Sequence, residues 1–281
     1  MLPATINYYA SIDDVKTQLC QTDDSIDSVV TAYLRAASRA IDDHCRRHFY
    51  VLTGNKIFAP KSSETTQMEI PDCLRIHALN VDTDDDFDYL DEVWAYGTDY
   101  VLSSEQAHYP SALPGRLIRV LSGGSYALNA GHRYRINADW GYGNGYESLP
   151  IEYANTLGTV INESSTSLSM SAGHLVEVGH TLYVEGEAMF VTATTTAGAT
   201  VQRGVNGTTA ATHTGHQVYI YRYPEMVRQC CIDMCVEGIF TRSDSASQVE
   251  VAAGQFQFSR FEEIMYRHLR MVEQYRVWRV A

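Results

Sequence analysis

From Ser25 onward the apolar residues Ile26, Val29, Val30, Tyr33, Leu34, Ala37 and Ile41 recur at the three- and four-residue steps that place side chains on one face of an α-helix. Such a helix has one face to bury, so the chain must supply a partner surface. The helix is expected to run out in Arg46-Arg47-His48, cations beside the negative end of its dipole. Ahead of it, Ser11 stands three residues before Asp14, the spacing of a capping box, so a short helix to about Cys20 is expected. An acidic turn, Gln21-Thr22-Asp23-Asp24, separates the two.

The period then changes. Val51–Ala59, Gln67–Ile70, Leu74–Val81, Asp91–Tyr96, Tyr100–Leu102, Arg116–Leu121 and His132–Trp140 read as short strands. Thr53-Gly54-Asn55, Pro71-Asp72, Pro114-Gly115 and Ser122-Gly123-Gly124-Ser125 read as turns. From Pro150 to Arg222 Thr, Ser, Gly and Val dominate and lysine is absent. Strands are expected there at Thr156–Ile161, Ser167–Met170, Thr181–Val184, Ala188–Thr194, Ala199–Arg203 and Gln217–Tyr221, with a short helix at Ile151–Leu157 as an option because Pro150 suits a first helical position. Pro224 opens a second long helix whose face is Val227, Cys230, Cys231, Met234, Cys235 and Ile239. Arg242–Gly254 reads as a polar loop, and Phe256–Val280 as a terminal segment helical from about Ser259. The fold class is therefore α+β. Helical N-terminal and C-terminal segments pack on an antiparallel β core (residues 1–149 and 223–281), and a small all-β domain (150–222) is inserted.

Charge narrows the function. The formal net charge is −13, and Lys16, Lys56 and Lys61 are the three lysines. A duplex-binding protein needs a basic patch to neutralise phosphates, whereas an acidic body repels DNA and suits a wall past which DNA slides. No apolar run approaches the roughly 20 residues of a membrane span, and MLPATINYY lacks the pattern of a signal peptide, so neither a membrane partner nor export is expected. The six cysteines form no CxxC pair and read as core residues rather than as disulfides or zinc ligands.

Several motifs invite chemistry and fail its tests. Asp82, Asp84, Asp85, Asp86 and Asp88 suggest a calcium loop, but the EF-hand positions for Gly and Glu hold Phe87 and Val93, so a solvated hairpin is expected. His44 and His48 enclose Cys45-Arg46-Arg47 rather than the interior of a zinc motif, Ser122–Ser125 lacks the end of a phosphate loop, and His213 has no GxSxG partner. No catalytic residue, metal or cofactor is assigned, and the chain is not expected to be an enzyme. In the insert, Arg203-Gly204-Val205-Asn206-Gly207 forms a turn motif that runs on to His213, with Gly204, Asn206 and Gly207 suited to positive φ.

The order of these parts resembles the head–tail connector, or adaptor, family of long-tailed phages. The match lies in "SIDDVKTQL", the acidic turn, "DSVVTAYLRAASRAIDDHCRRHF", the acidic hairpin before "VWAYGTDYVL", and "WGYG" followed after the insert by "YPEMVRQCCIDMC". The insert, with "LYVEGEAMFVTATTTAGATVQRGVNGTTAATHTGHQVYIY", resembles a β module of phage neck and tail proteins. The resemblance implies a virion structural protein of the neck, assembled in the host cytoplasm. It would form a ring of twelve beneath the portal protein, join it to a stopper or tail-completion protein, and let genomic DNA pass. Another neck or tail-completion protein is the first rival, and a glycan-binding virion protein acting through the β module is the second. The terminal segment is either a core helix or a portal-docking arm. Its residues are Phe256, Phe258, Phe261, Ile264, Met265 and Leu269 with Arg267, Arg270, Arg276 and Arg279. The acidic hairpin is expected to face the channel.

Overall fold

The computed structural model describes residues 7–60, 66–103, 113–143, 149–248 and 266–277, and for 241–248 the backbone alone. The elements run α1 (Ile12–Gln18), α2 (Asp27–Cys45), β1 (Leu52–Phe58), β2 (Gln67–Asp82), β3 (Glu92–Trp94), β4 (Tyr100–Ser103), β5 (Gly115–Val120) and β6 (Arg133–Trp140). Then follow β7 (Ile151–Thr156), β8 (Ser167–Ser169), β9 (Thr181–Val184), β10 (Glu187–Thr195), β11 (Gly198–Gln202), β12 (Gln217–Tyr221), α3 (Glu225–Gln248) and a 3-10 turn at Arg270–Tyr275. The protein is a mixed α+β fold with two six-stranded antiparallel sheets. It divides into two compact units, Met1–Arg47 with Ile151–Val205 and Thr209–Ala281, and His48–Pro150 with Asn206–Thr208.

In the first unit Ser11 and Asp14 cap α1 reciprocally, the Asp14 amide donating to the Ser11 hydroxyl at 3.0 Å and the Ser11 amide to the Asp14 carboxylate at 2.9 Å. α2 buries Val30, Leu34, Ala37, Ser38, Ile41 and Cys45, and ends where Arg46 turns left-handed at φ 54°. α3 begins after Pro224, and its buried face, Val227, Cys230, Cys231, Met234 and Cys235, is the one the sequence spaces out. α2 and α3 meet where the Ser38 hydroxyl lies 3.6 Å from the Cys231 sulfur.

α3 continues through Arg242–Gln248, where a loop was expected. That stretch holds neither glycine nor proline, so an established helix extends at small cost per residue. The terminal segment departs the other way. Residues 266–269 are helical, but Arg270–Tyr275 tightens to a 3-10 turn and Arg276 is extended, its chain held by the Val277 amide donating to the Cys45 carbonyl at 2.9 Å. The rest of the expected helix lies outside the described residues.

The barrel of this unit is ordered β7-β12-β9-β10-β11-β8. A bridge between Leu157 and Met170, with the Gly158 amide donating to the Ser169 carbonyl at 2.8 Å, ties its two edges together. Leu168, Leu182, Val184, Met189, Val191, Val201, Val218 and Ile220 fill it. Ile151–Thr156 is a strand and not a helix, because pairing along β12 outweighs the weak signal of Pro150. The helices group with this barrel: the Ile12 amide donates to the Val178 carbonyl at 3.2 Å, and Tyr8 meets Phe190 edge to face at 5.2 Å.

In the second unit the sheet order is β1-β6-β2-β5-β4, with β3 also on β2. Thr53-Gly54-Asn55, read as a turn, lies inside β1 opposite Asn137–Asp139, and the Gly54 carbonyl accepts the Trp140 indole N–H at 2.8 Å. Pro71-Asp72 also fails to turn the chain. β2 pairs with β5 from Gln67 to Glu69 and again at Cys73, and with β6 from Cys73, so the proline falls in a bulge where its missing N–H leaves no ladder bond unmade. Two expected strands are thus one of 16 residues. Alternate residues of β6, Tyr134, Ile136, Ala138 and Trp140, enter a core shared with Ile118, Leu79 and Trp94.

Gly207 supplies a test of this unit. It sits at φ +78°, and a Cβ there would collide with the Thr53 carbonyl oxygen, while the Thr53 amide donates to the Asn206 carbonyl at 2.9 Å. Gly97 has the same φ and open space around it. Gly97→Ala should cost about 1–2 kcal/mol for positive φ alone, and Gly207→Ala distinctly more. Equal shifts of the urea midpoint would show that the close approach relaxes freely.

Candidate functional site

The turn motif of the insert folds around one buried ion pair. Arg203 follows the end of β11, and Glu187 opens β10. The guanidinium meets the carboxylate with both forks, Nε to Oε1 at 2.6 Å and Nη2 to Oε2 at 2.7 Å. Its other hydrogens go to the carbonyls of Asn162 (2.7 Å), Ser165 (2.8 Å) and Ala211 (2.6 Å). Glu187 also accepts the amides of Gly204 and Ala211, each at 3.0 Å, and His213 Nε2 lies 2.9 Å from it. Glu187 and His213 are each 1% exposed. Burial alone would push the Glu187 carboxyl up, but Arg203 first, then the Ala211 amide, His213 and the Gly204 amide outweigh it and hold the group below its ordinary value.

Gly204, Asn206 and Gly207 all adopt positive φ, 60°, 57° and 78°, the conformation their residue types favour. Three residues of the network are not singled out by the sequence reading: Glu187, Glu185 and His216. Glu185 Oε2 lies 2.8 Å from His216 Nε2 and 3.5 Å from His213 Nδ1. The spacing His213-Thr214-Gly215-His216 was the one available cue.

The acidic hairpin joins β2 to β3. Asp82 is buried and accepts the amides of Asp85 (2.8 Å) and Phe87 (3.1 Å). Asp84, Asp86 and Asp88 are exposed, and each accepts the amide two residues on. Asp85, Phe87 and Tyr89 take positive φ. Arg133 pairs with Asp85 at 2.7 Å and lies over the Phe87 ring, and Arg135 lies over Tyr89. Asp82, Asp84 and Asp91 bring one oxygen each within 4.8 Å of one another, although these carboxylates already serve the loop's own amides.

The terminal segment, where described, lies on the helices. Leu269 and Val272 are buried, the Val272 carbonyl lies 3.6 Å from the Cys45 thiol, and the Cys230 thiol reaches the His268 carbonyl at 3.3 Å. Arg267 and His268 both pair with Glu237, His44 pairs with Glu273 at 2.6 Å, and Arg276 with Glu273 at 3.2 Å. Arg270 is exposed. Phe256, Phe258, Phe261, Ile264, Met265 and Arg279 lie outside the described residues. His48 stands apart from His44 in its partners, its Nδ1 lying 2.8 Å from the Tyr50 carbonyl. Burial pushes the Cys45, Cys73 and Cys230 thiols up to about 12, which leaves them inert packing groups.

A cleft of about 350 Å³ opens in the first unit, lined among others by Tyr8, Ser11, Asp14, His180, Arg222 and Arg228. Arg228 reaches Asp14 with Nε at 3.2 Å, and its hydrogen bond overcomes the burial that would raise the Asp14 carboxyl. His180 Nδ1 accepts the Glu177 amide at 3.1 Å. Burial, and after it the charge of Arg222, lowers His180 to about 4, so the ring is neutral near pH 7. Among the described residues no helix is long and apolar enough to cross a membrane.

No family model matches the chain, and no curated protein does. Three chains of solved structures are similar to part of it. One belongs to the neck of an empty GTA particle computed with C6 symmetry (16% identity, TM-score 0.35, 53% of this chain and 72% of that one). One belongs to the virion of a native gene transfer agent particle (18%, 0.34, 53% and 73%), and one to the neck of the native particle computed with C12 symmetry (18%, 0.31, 51% and 73%).

Two outcomes follow from the geometry of the first unit. Arg203→Met strands a buried carboxylate and should destabilise by about 3–5 kcal/mol, whereas the double change Arg203→Met, Glu187→Leu should recover much of that in urea unfolding. A double variant as unstable as the single one would mean that the pair itself, and not the stranded charge, carries the barrel. His180 sets an acid limb. Its folded value, about 4, lies below the ordinary 6.5, so the unfolded chain binds the extra proton between these values and stability falls as pH drops through that window. His180→Gln should remove up to about 3 kcal/mol of that fall. Asp42 acts oppositely, because burial raises it to about 7 and acid then favours the folded state. The difference between wild type and variant cancels its contribution, and parallel profiles would show that His180 titrates normally.

Proposed function

We propose that the chain is a structural protein of a virion neck, a head-to-tail adaptor. It forms a ring of twelve beneath a portal protein, joins that protein to a stopper or tail-completion protein, and leaves a channel for DNA. The observation that carries this reading is the order of elements. A capped α1, an acidic turn, an amphipathic α2 closed by arginines, an antiparallel sheet ending in Trp140-Gly141-Tyr142, and a Pro224-led α3 that returns to α2 repeat the pattern behind the sequence resemblance. The net charge of −13 supports a surface that does not retain DNA. The role is mechanical, and no residue is given a catalytic part.

The packing of residues 266–277 relocates the docking question. Leu269 and Val272 are occupied by α2 and α3, so removing the whole terminal segment would strip the helical core. The docking reading is tested at the aromatic residues before them. With Phe256, Phe258 and Phe261 all changed to Ser, the chain should keep its unfolding midpoint and lose attachment to portal-bearing heads, read by sedimentation and electron microscopy. Normal attachment by this variant would show that these aromatics are not the docking surface. Wild-type protein that neither forms a ring nor binds portal-bearing heads would defeat the adaptor reading as a whole.

A further inference from the structure

We infer that Glu185, His213 and His216 form a binding site for a borderline divalent cation of the zinc class, a clip between the β9–β10 hairpin and the loop that follows Arg203. Each of the three offers one donor atom, and the donors lie within 4.8 Å of one another. Two imidazoles and a carboxylate are an ordinary zinc donor set, with room left for water as a fourth ligand.

The argument rests on how His213 is held. Its backbone is pinned by a two-way bridge with Ile161, at 3.0 and 2.9 Å. Its Nε2 faces Glu187, whose two oxygens are already taken by the Arg203 fork and the amides of Gly204 and Ala211. A carboxylate so surrounded by donors is itself an acceptor, so Nε2 carries the hydrogen. In a neutral ring that leaves Nδ1 as a bare lone pair, and Nδ1 is the atom aimed at Glu185 Oε2. Two acceptors then face each other at 3.5 Å. A cation between them resolves the conflict, and the Glu187–His213 contact becomes the outer-shell carboxylate that orients a metal-bound histidine.

The spacing suits this. Donors about 2.0–2.1 Å from a tetrahedral zinc stand roughly 3.4 Å apart, close to the 3.5 Å between Glu185 and His213. The Glu185–His216 distance of 2.8 Å must widen. Both side chains have the freedom to do so, being 57% and 36% exposed, while His213 is 1% exposed and fixed. Glu185 and Gly186 form the two-residue β9–β10 turn at φ 44° and 89°, and the Glu185 carboxylate reaches both histidines from it while staying exposed to solvent.

The test uses the intact chain, stripped with a chelator and titrated with Zn²⁺ against a chromophoric competitor, with Co²⁺ absorption to report geometry. His216→Ala removes an exposed ligand, and Glu185→Gly removes the other without straining a positive-φ position. Each variant should bind one ion fewer, or the same ion with a loss beyond the roughly 10–100-fold typical of outer-shell changes. Zn²⁺ should raise the melting temperature of the wild type and not of the variants. Unchanged binding by both variants would place the ion elsewhere, on the thiols or the Asp82 cluster, and overturn the site. Absence of micromolar binding, with NMR showing His213 protonated on both nitrogens near neutral pH, would replace the metal with a plain imidazolium–Glu185 ion pair.

Discussion

The Arg203–Glu187 pair is the contact on which the barrel's loop depends. Removing two charges from water costs several kcal/mol each, and the pair is tolerable only because every lone pair and hydrogen finds a partner. Besides the His213 ring, those partners are backbone groups of Asn162, Ser165, Gly204 and Ala211. The pair therefore fixes segments that have no ladder of their own. The loop from Gly204 to His213 is irregular, yet its peptide groups are used. A motif rich in Gly, Thr and Ala, with little apolar surface to bury, is thus held mainly by hydrogen bonds.

Much of the fold was legible where the pattern was local. The capping box at Ser11, the face of α2, the start of α3 and the strands Thr181–Val184 and Gln217–Tyr221 follow from spacing and from Pro224 alone. The misreadings come from neighbours that local composition does not show. Thr53-Gly54-Asn55 and Pro71-Asp72 carry turn chemistry, but pairing with β6 keeps the chain extended through the first, and pairing on either side of the second makes it a bulge within β2. Arg242–Gln248 looks like a loop by composition and is carried by the helix before it. The site was half legible. Arg203, Gly204, Asn206, Gly207 and His213 stand together in sequence, whereas Glu187 lies at the mouth of a strand, where an acid looks solvent-facing. Its burial shows only in the fold, where it pairs with Val184 across the β9–β10 turn and receives the Arg203 fork.

The acidic hairpin shows how a strongly charged segment can satisfy much of its carboxylates' hydrogen bonding within its own loop. Each of Asp82, Asp84, Asp86 and Asp88 accepts a nearby amide, so part of every carboxylate's hydrogen bonding is internal. Arg133 and Arg135 add the side-chain support, stacking on Phe87 and Tyr89 while Arg133 pairs with Asp85. The consequence is a loop whose carboxylates are positioned by its own backbone amides and by Arg133 rather than by packing.

The terminal segment joins structure to role. An apolar stripe with a basic end serves equally as core or as a docking arm, and spacing cannot divide the two. The packing divides the segment by position. Leu269 and Val272 complete the α2–α3 core, and Glu273 and Glu237 draw in His44, Arg267 and His268. These contacts fix residues 267–276 against α2 and α3. Burial of one large side chain is worth roughly 1.5–3 kcal/mol. Leu269 and Val272 therefore act as core residues, although their spacing alone fits either reading.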